Sequence, residues 1–276
     1  MTETGIIGLV LIAVNVAFSY KGLSDRVFFD QYKFEVNRIL KYKEYRRLIT
    51  SGFLHVSWLH LILNMLSLFL FTSFMGNLSG TSFLIIYFTS MIGGDLLALL
   101  IHRQHGDYTS VGASGAICGI IFSSIALFPA MKLYVFGILP LPGWLFGIAY
   151  VLYSIYGIRN KQDNIGHESH LGGALMGMIV AVLLEPGAFA NNYISILLIT
   201  TPVIIFIYLM LARPQLLMPG NYYDATRSSY YDIDDQYNEE KVNRQHELDR
   251  LLDKIGKSGI GSLSKKEKQR LDDLSR

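Results

Sequence analysis

Gly112-Ala113-Ser114-Gly115-Ala116-Ile117-Cys118-Gly119-Ile120-Ile121-Phe122-Ser123-Ser124-Ile125-Ala126-Leu127-Phe128, closed by Pro129, is an apolar stretch without a charge that opens on a serine between small residues. Counted from Ser114 to Phe128, it makes a helix about 22 Å long at 1.5 Å per residue, against a hydrocarbon core of roughly 30 Å. One end therefore lies below the membrane surface. Irregular backbone at that depth survives only where protein surrounds it or water reaches it, so the loop before Ser114 is predicted to dip inward and admit water. Extension of the helix through residues 109 to 113 would weaken that expectation.

Outward from this stretch, apolar segments recur at residues 5 to 20, 57 to 75, 82 to 101, 144 to 158, 169 to 184 and 193 to 212, which makes seven candidate helices. Of the 276 residues, 51% are hydrophobic and 17% charged, a balance too apolar for an ordinary soluble domain. The fold class is all-α, a polytopic membrane helix bundle. Breakers separate the segments: Gly76, Asn77 and Gly80, then Pro129, Pro140, Pro142 and Gly143, then Pro186 with Gly187. The first segment follows Met1-Thr2-Glu3-Thr4, with neither a basic n-region nor a cleavage site, and reads as a retained span.

Residues 21 to 50 mix Val27, Phe28, Phe29, Phe34, Ile39 and Leu40 with eight Lys and Arg, as expected of a segment lying along the interface. Past the membrane domain, residues 1–212, a linker is expected over 213–238 and a small helical tail over 239–276, where Ser264 and Glu267 have capping-box spacing. Residues 213–276 hold 12 of the 24 Lys and Arg and 12 of the 22 Asp and Glu. A net charge of +2 with no long basic run gives no reason to expect nucleic acid as a partner. Cys118, the single cysteine, cannot form an internal disulfide.

Three of the segments carry polar residues near their starts. Ser114 stands in Gly112-Ala113-Ser114-Gly115, with Gly119 one turn beyond Gly115. The sixth segment opens His167-Glu168-Ser169-His170, and His170, Gly173 and Gly177 share a face that would press against Gly115 and Gly119 and bring His170 beside Ser114. On the second segment, His60 and Asn64 lie one turn apart, and both can donate hydrogen bonds. Taken singly, each set has a plainer reading: close helix packing, an interfacial histidine, an asparagine that glues helices. Parity favours a shared site, because helices two, four and six all start on the same membrane face.

With His-x-x-x-Asn on the second helix, Gly-x-Ser-Gly opening the fourth and His-x-x-Gly-x-x-x-Gly on the sixth, residues 45 to 180 resemble the rhomboid family of intramembrane serine proteases. The resemblance implies a six-helix core, here with one additional C-terminal transmembrane helix, in a multi-pass protein of a cell membrane of the bacterial inner-membrane type. It implies a Ser114–His170 dyad, with the oxyanion held by the Ser114 N–H, His60 and Asn64, and with transmembrane protein substrates drawn from the lipid bilayer. Asp163 and Glu168 are near enough in sequence to orient His170, although the resemblance implies that no third member is needed. The fifth helix and the loop from Gly157 to Gly166 are the expected gate.

Three positions depart from the family pattern. Arg46 replaces the tryptophan of a Trp-Arg pair, which puts the anchoring of the first loop in question. Cys118 stands where relatives place a tyrosine against the histidine, and Ser169 replaces a common alanine.

Rival readings are a metal or haem protein, a transporter using Asp95, and a catalytically inactive rhomboid-like protein that binds membrane clients. No His-Glu-x-x-His motif occurs and Cys118 is in no ligand cluster, so no metal or cofactor is expected. Orientation stays open: the site face carries eleven Lys and Arg, eight of them in residues 21 to 50, against Lys132 opposite. The positive-inside rule puts that face in the cytoplasm, whereas the resemblance implies a site facing outward.

Overall fold

A computed structural model describes residues 2–76, 78–135, 138–160 and 165–212 of one compact unit, Met1–Pro219, and residues 251, 254–255 and 263–275 of a second, Gly220–Arg276. Seven long helices fall on the seven apolar segments: α1 (Glu3–Ser24), α5 (Trp58–Phe74), α6 (Gly80–Ile101), α7 (Ser114–Leu127), α8 (Gly143–Asn160), α9 (His167–Leu184) and α10 (Pro186–Ala212). Four of them, α1, α6, α9 and α10, are long and apolar enough to cross a membrane unaided. A fifth span is made if Arg47–Phe53 and Trp58–Thr72, bent by 96° to each other, count as one. The chain is a multi-pass membrane protein.

The burial pattern is that of a lipid-facing bundle. On α1 the inward face is Thr4, Gly8, Leu11, Asn15, Ser19 and Gly22, mostly small or polar, while Ile6, Leu9, Val10, Val14 and Val16 point outward. Lipid tails satisfy the large side chains, so close approach between helices is left to the small ones. The buried Asn15 amide donates to the Leu11 carbonyl and, at 3.3 Å, to the Tyr87 hydroxyl, which satisfies its N–H groups in an apolar setting.

Residues 21 to 24 complete α1, and residues 25 to 50 form a folded loop of short helices, α2 (Arg26–Tyr32), α3 (Val36–Leu40) and α4 (Arg47–Thr50). Arg47 is the anchor. It is 3% exposed, its Nη1 donates to the carbonyls of Asp30 (2.9 Å) and Lys33 (2.6 Å), and its Nε donates to Glu44 Oε2 (2.7 Å). That hydrogen bond holds the Glu44 carboxyl below its ordinary range. Arg46 is exposed at the edge of this set, its Nη2 4.0 Å from Glu44 Oε2 and its guanidinium 5.5 Å from the Tyr32 ring. The departure at Arg46 therefore leaves the loop anchored. Arg47→Lys keeps the charge but loses the planar fork, and is expected to cost about 2 kcal/mol, read as faster proteolysis within the loop. Arg46→Ala should stay within about 0.5 kcal/mol.

Two short pairings tie loops down. Strand β1 (Phe34–Glu35) pairs antiparallel with β2 (Thr109–Ser110), which joins the first loop to the chain entering α7. Strands β3 (Lys132–Val135) and β4 (Leu139–Pro142) form a hairpin, so Pro140 and Pro142 are not simple breakers but members of a two-stranded ribbon, where edge positions tolerate a missing N–H.

The seventh helix also begins earlier than the apolar pattern suggests. Pro186 occupies its first residue, where a missing N–H is harmless, and the break comes at Asn192 (φ −125°). The Asn192 amide turns aside to donate to the carbonyls of Ala126 and Leu127, both at 3.0 Å, at the C-terminus of α7. It thereby satisfies acceptors that a helix end leaves open.

Gly157 does not begin a loop. It lies within α8, and a side chain there would collide with the His167 ring. The connection to α9 starts after Asn160, and residues 161–164 of the expected gate lie outside the described residues, as does the linker at 213–238. In the second unit, a helix at Lys265–Ser275 opens with the expected capping box: Glu267 N donates to Ser264 Oγ (3.3 Å) and Ser264 N to Glu267 Oε2 (2.8 Å).

Candidate active site

Helix α7 has 14 residues and begins at Ser114; residues 109 to 113 do not extend it. Gly112 sits at φ +133°, a conformation that glycine adopts without strain. Its N–H donates to the Ser51 carbonyl (3.1 Å), which fixes the entry to the helix. The first turn of α7 has no side-chain cap, so its leading N–H groups remain available to an acceptor.

Glycine contacts set the spacing of α7 and α9. A Cβ on Gly173 would strike the Gly115 carbonyl oxygen, and one on Gly177 the Gly119 carbonyl oxygen. Backbone thus lies on backbone, as the shared face predicts. This approach brings His170, on the first turn of α9, to Ser114: His170 Nε2 is 2.7 Å from Ser114 Oγ, within the range for proton transfer between base and nucleophile. Both residues are half-buried.

The His60 ring borders the same pocket. A Cβ on Gly112 would lie 2.9 Å from His60 Cε1 and 3.6 Å from Ser114 Oγ. Asn64, buried, donates one amide N–H to the His60 carbonyl (3.1 Å), and the amide has a second N–H to offer. Ser114, His170 and His60 are therefore gathered at one place, with Asn64 one turn along the same helix as His60.

Sequence reasoning missed Tyr150. Its Oη is 3.0 Å from His170 Nδ1 and 3.1 Å from Cys118 Sγ, so a tyrosine from α8 occupies the neighbourhood that Cys118 leaves open. The available signal was a hydroxyl inside an apolar helix, which needs a partner when buried. Tyr153 and Tyr156 on the same helix offer the same signal.

Glu168 does not orient His170. Its Oε1 bonds His102 Nε2 (3.0 Å), and that ring stacks on Tyr108 at 3.6 Å. Asp163 lies outside the described residues. Asp95 accepts from Ser51 Oγ (2.9 Å), a hydrogen bond within the bundle. Among the described residues no three His, Cys, Asp or Glu side chains converge as a metal site would require.

An apolar bundle with a serine and a histidine bonded across two helices defines the class as a multi-pass helical membrane protein with a polar site inside it. Residues 42–186 match the Rhomboid domain family, and the chain belongs to that family. Residues 231–276 match a second family, DUF6576, whose function is unknown.

Among curated relatives, RHOMBOID-like protein 12, mitochondrial, of Arabidopsis thaliana is 26% identical over 67% of this chain and 59% of its own length. Rhomboid protein 1, mitochondrial, of Saccharomyces cerevisiae is 34% identical over 48% of this chain and 40% of its own. Rhomboid protease GluP of Bacillus subtilis is 28% identical over 64% and 34% respectively. The chain thus spans less than two thirds of the length of these relatives.

Proposed function

We propose that the chain is an intramembrane serine endopeptidase that hydrolyses peptide bonds in the transmembrane helices of other membrane proteins. The observation that carries this reading is the 2.7 Å contact between Ser114 Oγ and His170 Nε2 at the head of a short helix. Ser114 Oγ attacks the scissile carbonyl carbon while its proton passes to His170 Nε2, giving a tetrahedral oxyanion and an imidazolium. The imidazolium then returns the proton to the departing amine as the C–N bond breaks. Water, deprotonated by the same nitrogen, cleaves the remaining ester and restores Ser114.

The oxyanion lies against the Ser114 N–H at the uncapped start of α7, with the side chains of His60 and Asn64 as further donors. Asn64→Ala is expected to lower turnover on the order of 100-fold with the bundle intact, measured on a transmembrane reporter in detergent or liposomes. Normal turnover would remove Asn64 from this role.

A regular helix hides its carbonyls, so the substrate segment unwinds at the cut, and α8 is the element whose displacement admits it. The membrane of residence in this reading is a bacterial inner membrane. The named relatives include mitochondrial proteins as well as the Bacillus protein, so fractionation of the native host tests that point.

The decisive assay of activity is labelling by a serine-reactive fluorophosphonate, expected on the wild type and lost in Ser114→Ala. A wild type that is folded, unlabelled and inert toward a panel of transmembrane reporters would return the reading to a client-binding protein.

A further inference from the structure

We infer that Tyr150 is the positioning residue of the dyad, a hydroxyl from α8 that fixes the His170 tautomer and takes the place a carboxylate holds in a triad. The inference rests on the peptidase reading for its kinetic consequence, but not for its geometry.

His170 has a partner on each ring nitrogen: Ser114 Oγ at Nε2 (2.7 Å) and Tyr150 Oη at Nδ1 (3.0 Å). A neutral imidazole donates at one nitrogen and accepts at the other. To take the serine proton, Nε2 must be the acceptor, so Nδ1 carries the hydrogen and donates it to Tyr150 Oη. Tyr150 has one proton of its own, and the neighbour placed to accept it is Cys118 Sγ at 3.1 Å. The chain then has a single direction: Ser114 O–H to His170, His170 N–H to Tyr150, Tyr150 O–H to Cys118.

Reversing Tyr150, so that it donates to Nδ1, moves the imidazole hydrogen to Nε2 and leaves Ser114 facing a donor. Cys118 thus bears on the serine from two residues away, by keeping the tyrosine proton off the histidine. Packing supports the arrangement, since the Tyr150 ring also contacts Phe146 (centroids 5.8 Å) and Phe122 (5.6 Å).

The test is a double-mutant cycle on the full chain, with kcat and KM for a transmembrane reporter and thermal unfolding measured in parallel. Tyr150→Phe keeps the ring and is expected to lower kcat at least 10-fold with KM and the unfolding midpoint unchanged. Cys118→Ala is expected to lower kcat several-fold and Cys118→Ser, which keeps an acceptor, to retain it. In the Tyr150→Phe background, Cys118→Ala and Cys118→Ser should be equal, because Cys118 acts only through the hydroxyl. Additive losses, or full kcat in Tyr150→Phe, overturn the assignment.

Nitrogen-15 NMR of histidine-labelled protein, with the His170 signals identified by their absence in His170→Asn, reads the tautomer without any turnover. Hydrogen on Nδ1 in the wild type, with its resonance shifted by Tyr150→Phe, supports the assignment. Hydrogen on Nε2, or no shift, overturns it. If the wild type cleaves nothing, the peptidase reading falls, and the NMR result still decides the role of Tyr150.

Discussion

Ser114→Ala is expected to abolish reporter cleavage, a loss of about 1000-fold or more, while leaving the protein folded. The substitution removes one oxygen, the atom 2.7 Å from His170 Nε2, and leaves the imidazole still bonded to Tyr150. No other group described near the histidine is placed as a nucleophile, so the reaction loses its first step rather than slowing it. Enzymes of the serine type that lose the nucleophile keep only the share of catalysis owed to binding and oxyanion donors. Stability should change by less than about 1 kcal/mol, because Ser114 is half-buried and alanine is a good first residue of a helix. Cleavage and unfolding must be measured on the same preparation. Retained cleavage with an unchanged midpoint would place the nucleophile elsewhere.

Gly173→Ala is expected to be strongly damaging, costing about 3 kcal/mol and most of the activity together. The new Cβ would meet the Gly115 carbonyl, which is backbone and cannot rotate away, so α7 and α9 must part. Parting them lengthens the bond between Ser114 and His170, since the same line of contact sets both. Gly187→Ala is the matched control, because nothing lies within 4 Å of the position its Cβ would take. Denaturation in mixed micelles gives the comparison: Gly173→Ala within about 0.5 kcal/mol of Gly187→Ala would contradict the close approach.

What could be read in advance divides along physical lines. The seven helices were legible because lipid demands long apolar runs, and the pairing of α7 with α9 because small residues four apart have few other uses in a membrane. The meeting of Ser114 with His170 followed from those faces, whereas His60 and Asn64 were singled out by their one-turn spacing on another helix. Tyr150 did not, because α8 carries several tyrosines and its rotation about its own axis depends on packing rather than on pattern. Glu168 was hidden for a related reason, since its partner His102 lies 66 residues earlier, at the end of α6. The kink at Asn192 is set by carbonyls of α7 more than 60 residues upstream, which no local signal announces. Proline at 140 and 142 reads as interruption until a partner strand supplies the context.

Cys118 has a practical consequence. It is the sole thiol in the chain and is 5% exposed, tucked against the phenol of Tyr150. Maleimide probes should therefore react with an introduced surface thiol long before they reach the native one. Spin labels, fluorophores and engineered crosslinks can be placed on the unmodified background, including pairs that staple α8 to its neighbours and report whether its movement is needed for turnover.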